Sequence, residues 1–206
     1  MGGPGNRERP ETMPILHVYG IDHSRASLAV REQLAFSAEE AGELIPVLLA
    51  GPDPADCRGA VREAMLLSTC NRTEVYLVTD GEPAGFPLEP LCRHRPEMQW
   101  LDNPELRYHL REQEASAHLF AVAASLRSQV PGDTQIASQV AAAAAVARSA
   151  DTLGPLLEQV VARALRSAKR VRRETGLMAG SAGTGAAVLQ ALRRMMPDGP
   201  RAPVAP

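Results

Sequence analysis

A cysteine and an arginine lie two residues apart, between two apolar runs of the sequence. Cys70 and Arg72 separate residues 65–67 from residues 75–78, and both runs favour β-strands. We expect residues 68–73 to form the bend between these strands, where side chains are accessible. The thiolate is the nucleophilic form of cysteine, and a neighbouring arginine stabilises it. The pair suits nucleophilic catalysis, although a lone cysteine at a strand end is more often a small buried hydrophobic residue.

The composition is that of one globular domain. The chain has 206 residues, of which 45% are hydrophobic and 22% are charged. Only 3% are aromatic, which argues against a base-stacking platform for single-stranded nucleic acid. The net charge of -2 argues against general coating of nucleic acid, but it leaves local basic patches open.

The cysteines and the N-terminal segment indicate where in the cell the protein is located. Cys57, Cys70 and Cys92 are odd in number and lack metal-ligand spacing, so we expect reduced thiols and no metal site. Residues 1–13 lack the apolar core of a signal peptide, and no run of about 18 apolar residues is present to span a membrane. The sequence therefore predicts a cytoplasmic protein without membrane partners.

Hydrophobic periodicity predicts an α+β fold. The expected elements, in chain order, are a strand at 15–21, a helix to about 34, a capped helix from Ser37 to about 49, strands at 64–68 and 74–79, a helix within 91–96 and a weak strand at 106–110. This order predicts a split βαβ (ferredoxin-like) antiparallel sheet with helices on one face.

A long helical segment follows the predicted sheet. We expect helices from about Glu114, over 135–149 and from about 152 to 175; the first contains His118, with Leu126 on its apolar face. The last helix has an apolar stripe and, on another face, a row of arginines at three- and four-residue spacing: Arg163, Arg166, Arg170 and Arg173. Such a row is usually a solvated face, but it also suits an RNA backbone.

The remaining residues are expected to add little structure. The glycine spacing in 180–185 differs from the dinucleotide fingerprint, and no strand precedes it. We therefore predict a disordered N-terminus at 1–13, one domain at 14–176, a short helical extension at 177–196 and a disordered tail at 197–206.

Several motifs resemble one enzyme family. Ser-Thr-Cys-Asn-Arg-Thr-Glu-Val-Tyr at 68–76 closely resembles the nucleophile motif of glutamyl-tRNA reductase. Further similar segments follow in the family's order: 117–123, 132–136 with Gln139, and 152–176. The resemblance runs with gaps over about 18–192, which corresponds to the family's N-terminal catalytic domain.

The resemblance implies a site and a substrate. Cys70 would attack the ester that joins glutamate to tRNA and form an enzyme thioester, which the family then reduces with NADPH. By position, His118 matches the family's active-site histidine and would handle protons. Thr69 and Arg72 would hold the glutamyl group, with the Arg72 fork on a carboxylate, and Ser128 and Gln135 would add polar contacts. Taken alone, a histidine on an apolar helix is more often a hydrogen-bonded core residue.

The sequence departs from the family in two respects. Arg127 stands where the family usually has a carboxylate, and the NADPH-binding and dimerisation domains expected after Met196 are not recognised. Hence no cofactor is expected in this chain, and NADPH enters only if a partner supplies its domain.

Three functions stay open on the sequence. In the first, Cys70 takes the acyl group from glutamyl-tRNA, or another aminoacyl-tRNA, and passes it to an unknown acceptor or to water. In the second, the chain is a reductase of tetrapyrrole biosynthesis whose NADPH domain is supplied in trans. In the third, it is a non-catalytic tRNA-binding or regulatory protein.

Overall fold

A computed structural model describes residues 13–49, 60–83, 85–129, 133 and 135–175. Four strands form one sheet: β1 (Pro14–Asp22), β2 (Val61–Thr69), β3 (Arg72–Asp80) and β4 (Tyr108–Arg111). The helices are α1 (Leu28–Gln33), α2 (Ala38–Leu44), α3 (Pro46–Leu49), α4 (Glu89–His94), α5 (Glu112–Ala123), α6 (Gln135–Ser149) and α7 (Pro155–Glu174), with a 3₁₀ helix at Pro96–Asp102.

The sheet confirms the predicted α+β, split βαβ arrangement. Its strand order is β2-β3-β1-β4, and all neighbouring strands are antiparallel. Both β1 and β2 run antiparallel to β3, so they are parallel to each other with β3 between them. The β1–β3 and β2–β3 ladders end together, at the pairs Asp22–Arg72 and Thr69–Arg72. One end of the sheet therefore carries the turn that contains Cys70.

Helices cover both faces of the sheet, so the prediction of helices on one face was wrong. One face, which includes Val18, Leu67 and Tyr76, shares a core with α5, α6 and α7. The other face, which includes Ile21 and Leu66, shares a core with α1 to α4 and the 3₁₀ helix. Strands buried on both faces are apolar at successive positions rather than at alternate ones, as β2 is from Ala64 to Leu67. The long C-terminal helices provide the second cover.

Capping chemistry fixes the helix boundaries. Ser37 caps α2, since its hydroxyl accepts from the Glu40 N–H at 3.2 Å and the Glu40 carboxylate accepts from the Ser37 N–H at 2.8 Å. The single helix expected to about residue 49 is interrupted at Ile45, and Pro46, which has no N–H, opens α3. The helices over Gln135–Ser149 and Pro155–Glu174 agree with the sequence prediction.

The end of α5 turns the chain outwards. Ser125 has φ 63°, its N–H donates to the Val122 carbonyl, and the Leu126 N–H donates to the Ala121 carbonyl, both at 2.9 Å. These are the hydrogen bonds of a Schellman motif. Leu126, predicted to lie on the apolar face of the helix, is instead 51% exposed because the helix has already ended. The turn also carries the Arg127 carbonyl back towards the sheet.

Several predictions concern residues outside the described ranges. They are Cys57, the interruption at residues 131–132 and Thr134, the helix stop at Gly176, and the segments 1–12, 177–196 and 197–206. Within the described ranges, none of the helices has the length and apolar character needed to cross a membrane. In the same ranges, no three His, Cys, Asp or Glu residues are grouped so that they could hold a metal ion.

Candidate active site

Cys70 lies in the two-residue turn that joins β2 to β3, and its side chain is exposed. The expected bend over 68–73 was too long, because Thr69 and Arg72 are paired strand residues. The Thr69 hydroxyl accepts hydrogen bonds from the N–H groups of Asn71 and Arg72, each at 3.2 Å. These contacts let the strands continue up to the turn, so the thiol projects from a short and internally bonded loop.

Arg72 points into the core beside the turn. Its side chain is 1% exposed, and Nη1 donates to Oε1 of Glu74 at 2.8 Å. Nη2 donates to the Arg127 carbonyl. Burial lowers the pKa of Arg72, but the Glu74 carboxylate more than offsets this and raises it. The carboxylate that Arg72 holds in this structure is therefore that of Glu74. The roles of Arg72 towards Cys70 and towards a substrate stay predictions.

Glu74 is the centre of a buried polar cluster that sequence reasoning missed. Its fully buried carboxylate accepts from Arg72, from the hydroxyls of Tyr76 and Tyr108, and from Nε2 of His118 at 2.8 Å. Burial raises the pKa of Glu74, but the His118 hydrogen bond and the Arg72 charge lower it to about 2. Glu74 is therefore ionised, and it raises the pKa of both tyrosines in addition to the effect of their burial.

Gly20 makes room for this cluster. It lies on β1 directly between Glu74 on β3 and Tyr108 on β4. A Cβ atom at Gly20 would lie 2.5 Å from the Tyr108 ring. The glycine therefore allows Tyr108 to lie across β1 and bring its hydroxyl to the Glu74 carboxylate.

His118 is held by the same cluster. It lies on α5 and is 6% exposed, and its ring centroid is 5.1 Å from that of Tyr108. Because Glu74 is an ionised acceptor, Nε2 of His118 carries the hydrogen in their bond. This agrees with the alternative of a hydrogen-bonded core histidine, and a role in proton transfer stays a prediction.

The comparisons with known proteins identify the family. The family model "Glutamyl-tRNAGlu reductase, N-terminal domain" matches residues 19–175. The chain belongs to this family.

Its relatives are longer than this chain. Glutamyl-tRNA reductase of Syntrophotalea carbinolica is 36% identical over 184 residues, which are 88% of this chain and 40% of the relative. That of Aquifex aeolicus is 36% identical over 90% of this chain and 44% of its own length. The structure of glutamyl-tRNA reductase from Methanopyrus kandleri matches with a TM-score of 0.63 and 28% identity, over 87% of this chain and 39% of that chain. The chain thus spans about two fifths of each.

The other residues named from the family resemblance are spread more widely. Ser128 follows Arg127, and its hydroxyl lies 3.2 Å from that of Ser125, so it is near the Arg72 end of the cluster. Gln135 is exposed at the first position of α6, and its N–H donates to the Asp133 carboxylate at 3.0 Å. The structure thus connects Thr69, Arg72, His118 and the segment before Ser128.

The arginine row lies on the outer face of α7. All four members are exposed: Arg163, Arg166, Arg170 and Arg173. Arg170 pairs with Glu174 at 3.0 Å. The row is separate from the polar cluster, since it faces away from the α7 residues Leu157, Val161 and Ala164, which are buried in the core shared with the sheet.

Proposed function

We propose that this domain takes the acyl group of an aminoacyl-tRNA onto Cys70 and passes it to a second nucleophile. The thiolate attacks the ester carbonyl carbon, the S–C bond forms, and the C–O bond to the tRNA ribose breaks as that oxygen takes a proton. The observation that supports this most directly is the exposed Cys70 thiol in a short turn. A cysteine that served only as a small hydrophobic residue of the core would be buried.

The chemistry of the two steps supports transfer. Exchange of an ester for a thioester needs no cofactor, and thioesters react readily with amines. An amine acceptor makes the protein an acyltransferase, and water makes it an esterase. The relatives are glutamyl-tRNA reductases by name, which favours glutamyl-tRNA as the acyl donor.

Roles for the neighbouring residues follow from this proposal. In its doubly protonated form, His118 gives the leaving ribose oxygen the proton on Nδ1, and the hydrogen bond from Nε2 to Glu74 keeps the ring oriented. Thr69, Arg72, Ser128 and Gln135 contact the glutamyl group. Arg72 takes part only if the substrate carboxylate competes with Glu74 for its guanidinium.

The relatives' names also favour a second candidate, reduction of the thioester to an aldehyde. In this chain, the reduction would use NADPH held by a domain on another polypeptide. Aldehyde formation on addition of NADPH and a co-purifying nucleotide-binding partner would favour this candidate over acyl transfer.

The first experiment is a test for the acyl-enzyme. Purified protein is mixed with tRNA charged with labelled glutamate, quenched in acid and examined by intact mass. We expect a hydroxylamine-labile adduct on the wild type and on the Cys92→Ser control, but none on Cys70→Ser. Cys92 is a suitable control because its thiol is half-buried and burial raises its pKa.

The outcomes separate the candidates. If the adduct forms, amines of different chemical classes are tested as acceptors. If charged tRNA binds without adduct or deacylation, acyl transfer is excluded and a non-catalytic tRNA-binding role replaces it.

We also propose that the α7 arginine row contacts the tRNA backbone. Arg163→Gln with Arg166→Gln should weaken tRNA binding several-fold and lower the salt slope by about one for each phosphate that is no longer neutralised. Arg93→Gln, at an exposed arginine of α4, is the matched control. Binding is measured by filter retention at several salt concentrations, and equal slopes for all three proteins would assign the row to solvent.

A further inference from the structure

The turn that carries Cys70 has an unfavoured conformation for a two-residue hairpin. Such hairpins prefer type I′ or II′ turns, which need a positive φ and usually contain glycine. Among the described non-glycine residues, only Glu112, Ser125 and Asp151 have a positive φ. Cys70 and Asn71 therefore both have negative φ, so this turn is not of the type that two-residue hairpins prefer.

Two groups from the segment after β1 bind the outer side of the turn. The Arg31 guanidinium donates through Nη1 to the carbonyl of Cys70. The His23 N–H donates to the carbonyl of Asn71 at 2.9 Å. Together with the Thr69 hydroxyl on the inner side, they satisfy both carbonyls of the turn and the N–H groups of Asn71 and Arg72.

Arg31 is itself held in place by the hairpin. It lies in the last turn of α1. Just beyond that helix, the Leu34 carbonyl accepts from the Thr73 hydroxyl at 2.8 Å, and the Phe36 N–H donates to the Ser68 hydroxyl at 3.0 Å. The end of α1 is thus bound to both strands that flank Cys70. These contacts fix the position of the Arg31 backbone relative to the turn.

Arg31 and Arg72 differ in whether a carboxylate neutralises their charge. Glu74 neutralises Arg72 in the core, whereas no carboxylate in the described ranges forms an ion pair with Arg31. The Arg31 Nε is buried and has no hydrogen-bond partner within the described residues. Of the two arginines, Arg31 is therefore the one whose charge is directed to the backbone of the nucleophile.

We propose that Arg31 is a positioning residue for Cys70: its guanidinium holds the Cys70 carbonyl and fixes the direction in which the thiolate meets the acyl ester. The proposal rests on the acyl-enzyme function proposed above. The role differs from the one that the sequence suggested for Arg72, which was to stabilise the thiolate, because Arg31 acts on the Cys70 backbone. A misplaced nucleophile slows the chemical step, so binding of charged tRNA is unaffected.

The test uses the full chain and glutamate-charged tRNA. Arg31→Ala should lower the rate of adduct formation at saturating tRNA about 10- to 100-fold. The tRNA concentration at half-maximal rate should stay within about twofold. Arg31→Lys should retain part of the rate, and methylguanidinium in the buffer should restore part of the rate of Arg31→Ala. Arg93→Ala, at an exposed arginine of α4 that pairs with Glu89, is the matched control and should behave as wild type.

Hydrogen exchange provides a readout that needs no tRNA. Arg31→Ala should speed exchange of the Asn71 and Arg72 amides about tenfold or more, with the amides of β1 unchanged. If Arg31→Ala does not fold, Arg31→Met, which keeps the aliphatic stem but not the donors, replaces it.

Each outcome bears on one proposal. An adduct rate within twofold of wild type overturns the positioning role, and so does a slow variant that methylguanidinium does not rescue and whose turn amides exchange normally. If even the wild type forms no adduct, the acyl-enzyme proposal fails, and the exchange rates alone decide whether Arg31 holds the turn.

Discussion

Replacing Glu74 by alanine is expected to lower the free energy of unfolding by about 3–5 kcal/mol, because it leaves a buried charge without its partner. Arg72 is 1% exposed and cannot reach water to replace the lost carboxylate. Tyr76, Tyr108 and His118 lose the same acceptor. Urea unfolding followed by circular dichroism measures the change, and His118 should lose its fixed orientation along with it.

An exposed ion pair is the control for this prediction. Glu158→Ala removes the carboxylate that pairs with Arg148 at 2.7 Å, but both side chains are about half exposed. Water and salt screen such pairs, so the expected loss is below about 1 kcal/mol. Equal losses for Glu74→Ala and Glu158→Ala would show that the Arg72–Glu74 pair does not stabilise the core.

A signal for the Glu74 cluster was present in the sequence. Side chains at alternate positions of a strand share a face, so the predicted strand at 74–79 already placed Glu74 and Tyr76 on one face, and extending it back by two residues adds Arg72 to that face. The sequence prediction instead placed Arg72 in a surface bend, because it relied on the two-residue spacing between Cys70 and Arg72. The alternation of polar residues within an apolar strand indicates buried pairing, and it would have paired Arg72 with Glu74.

Other features of the site depend on contacts between distant segments. Capping residues and periodicity were sufficient for the start of α2 and for α6 and α7, because these signals are local. The Tyr108 contact needs the register of β4 on β1 and the missing side chain of Gly20. The Arg31 contact needs the packing of α1 on the hairpin. Neither register nor packing can be read from one segment alone.

Stability is expected to fall as the pH is lowered from about 6.5 to 4 because of His17, which is fully buried between β3 and β4. Burial makes the largest contribution to lowering the pKa of His17, and with the further effects of His109 and Arg111 on β4 the pKa is about 4. The unfolded chain therefore binds a proton at about pH 6.5 that the folded chain does not bind until about pH 4. The loss amounts to at most about 3 kcal/mol.

The hydrogen bonds around His17 explain why its neutral form is preferred. The Thr79 hydroxyl donates to the Gly81 carbonyl at 2.7 Å, so it accepts from His17 Nε2 at 3.0 Å. His17 Nδ1 must then accept from His109 Nε2 at 3.1 Å. A proton on Nδ1 would break that bond and oppose Arg111. The pKa of His109 is also lowered, mainly by burial and to a smaller extent by Arg107. Both histidines therefore make the folded protein less stable as the pH falls.

The pH window separates this effect from that of Glu74. The Glu74 carboxylate has a lowered pKa of about 2, so its contribution is complete above about pH 4.5 and is lost only as the pH falls towards 2. Urea unfolding at pH 7.5 and 4.5 therefore reports mainly on the histidines. His17→Gln should lower stability at pH 7.5 but reduce its dependence on pH, whereas His94→Gln, at an exposed histidine, should leave that dependence unchanged. An undiminished pH dependence in His17→Gln would assign the acid sensitivity to another group.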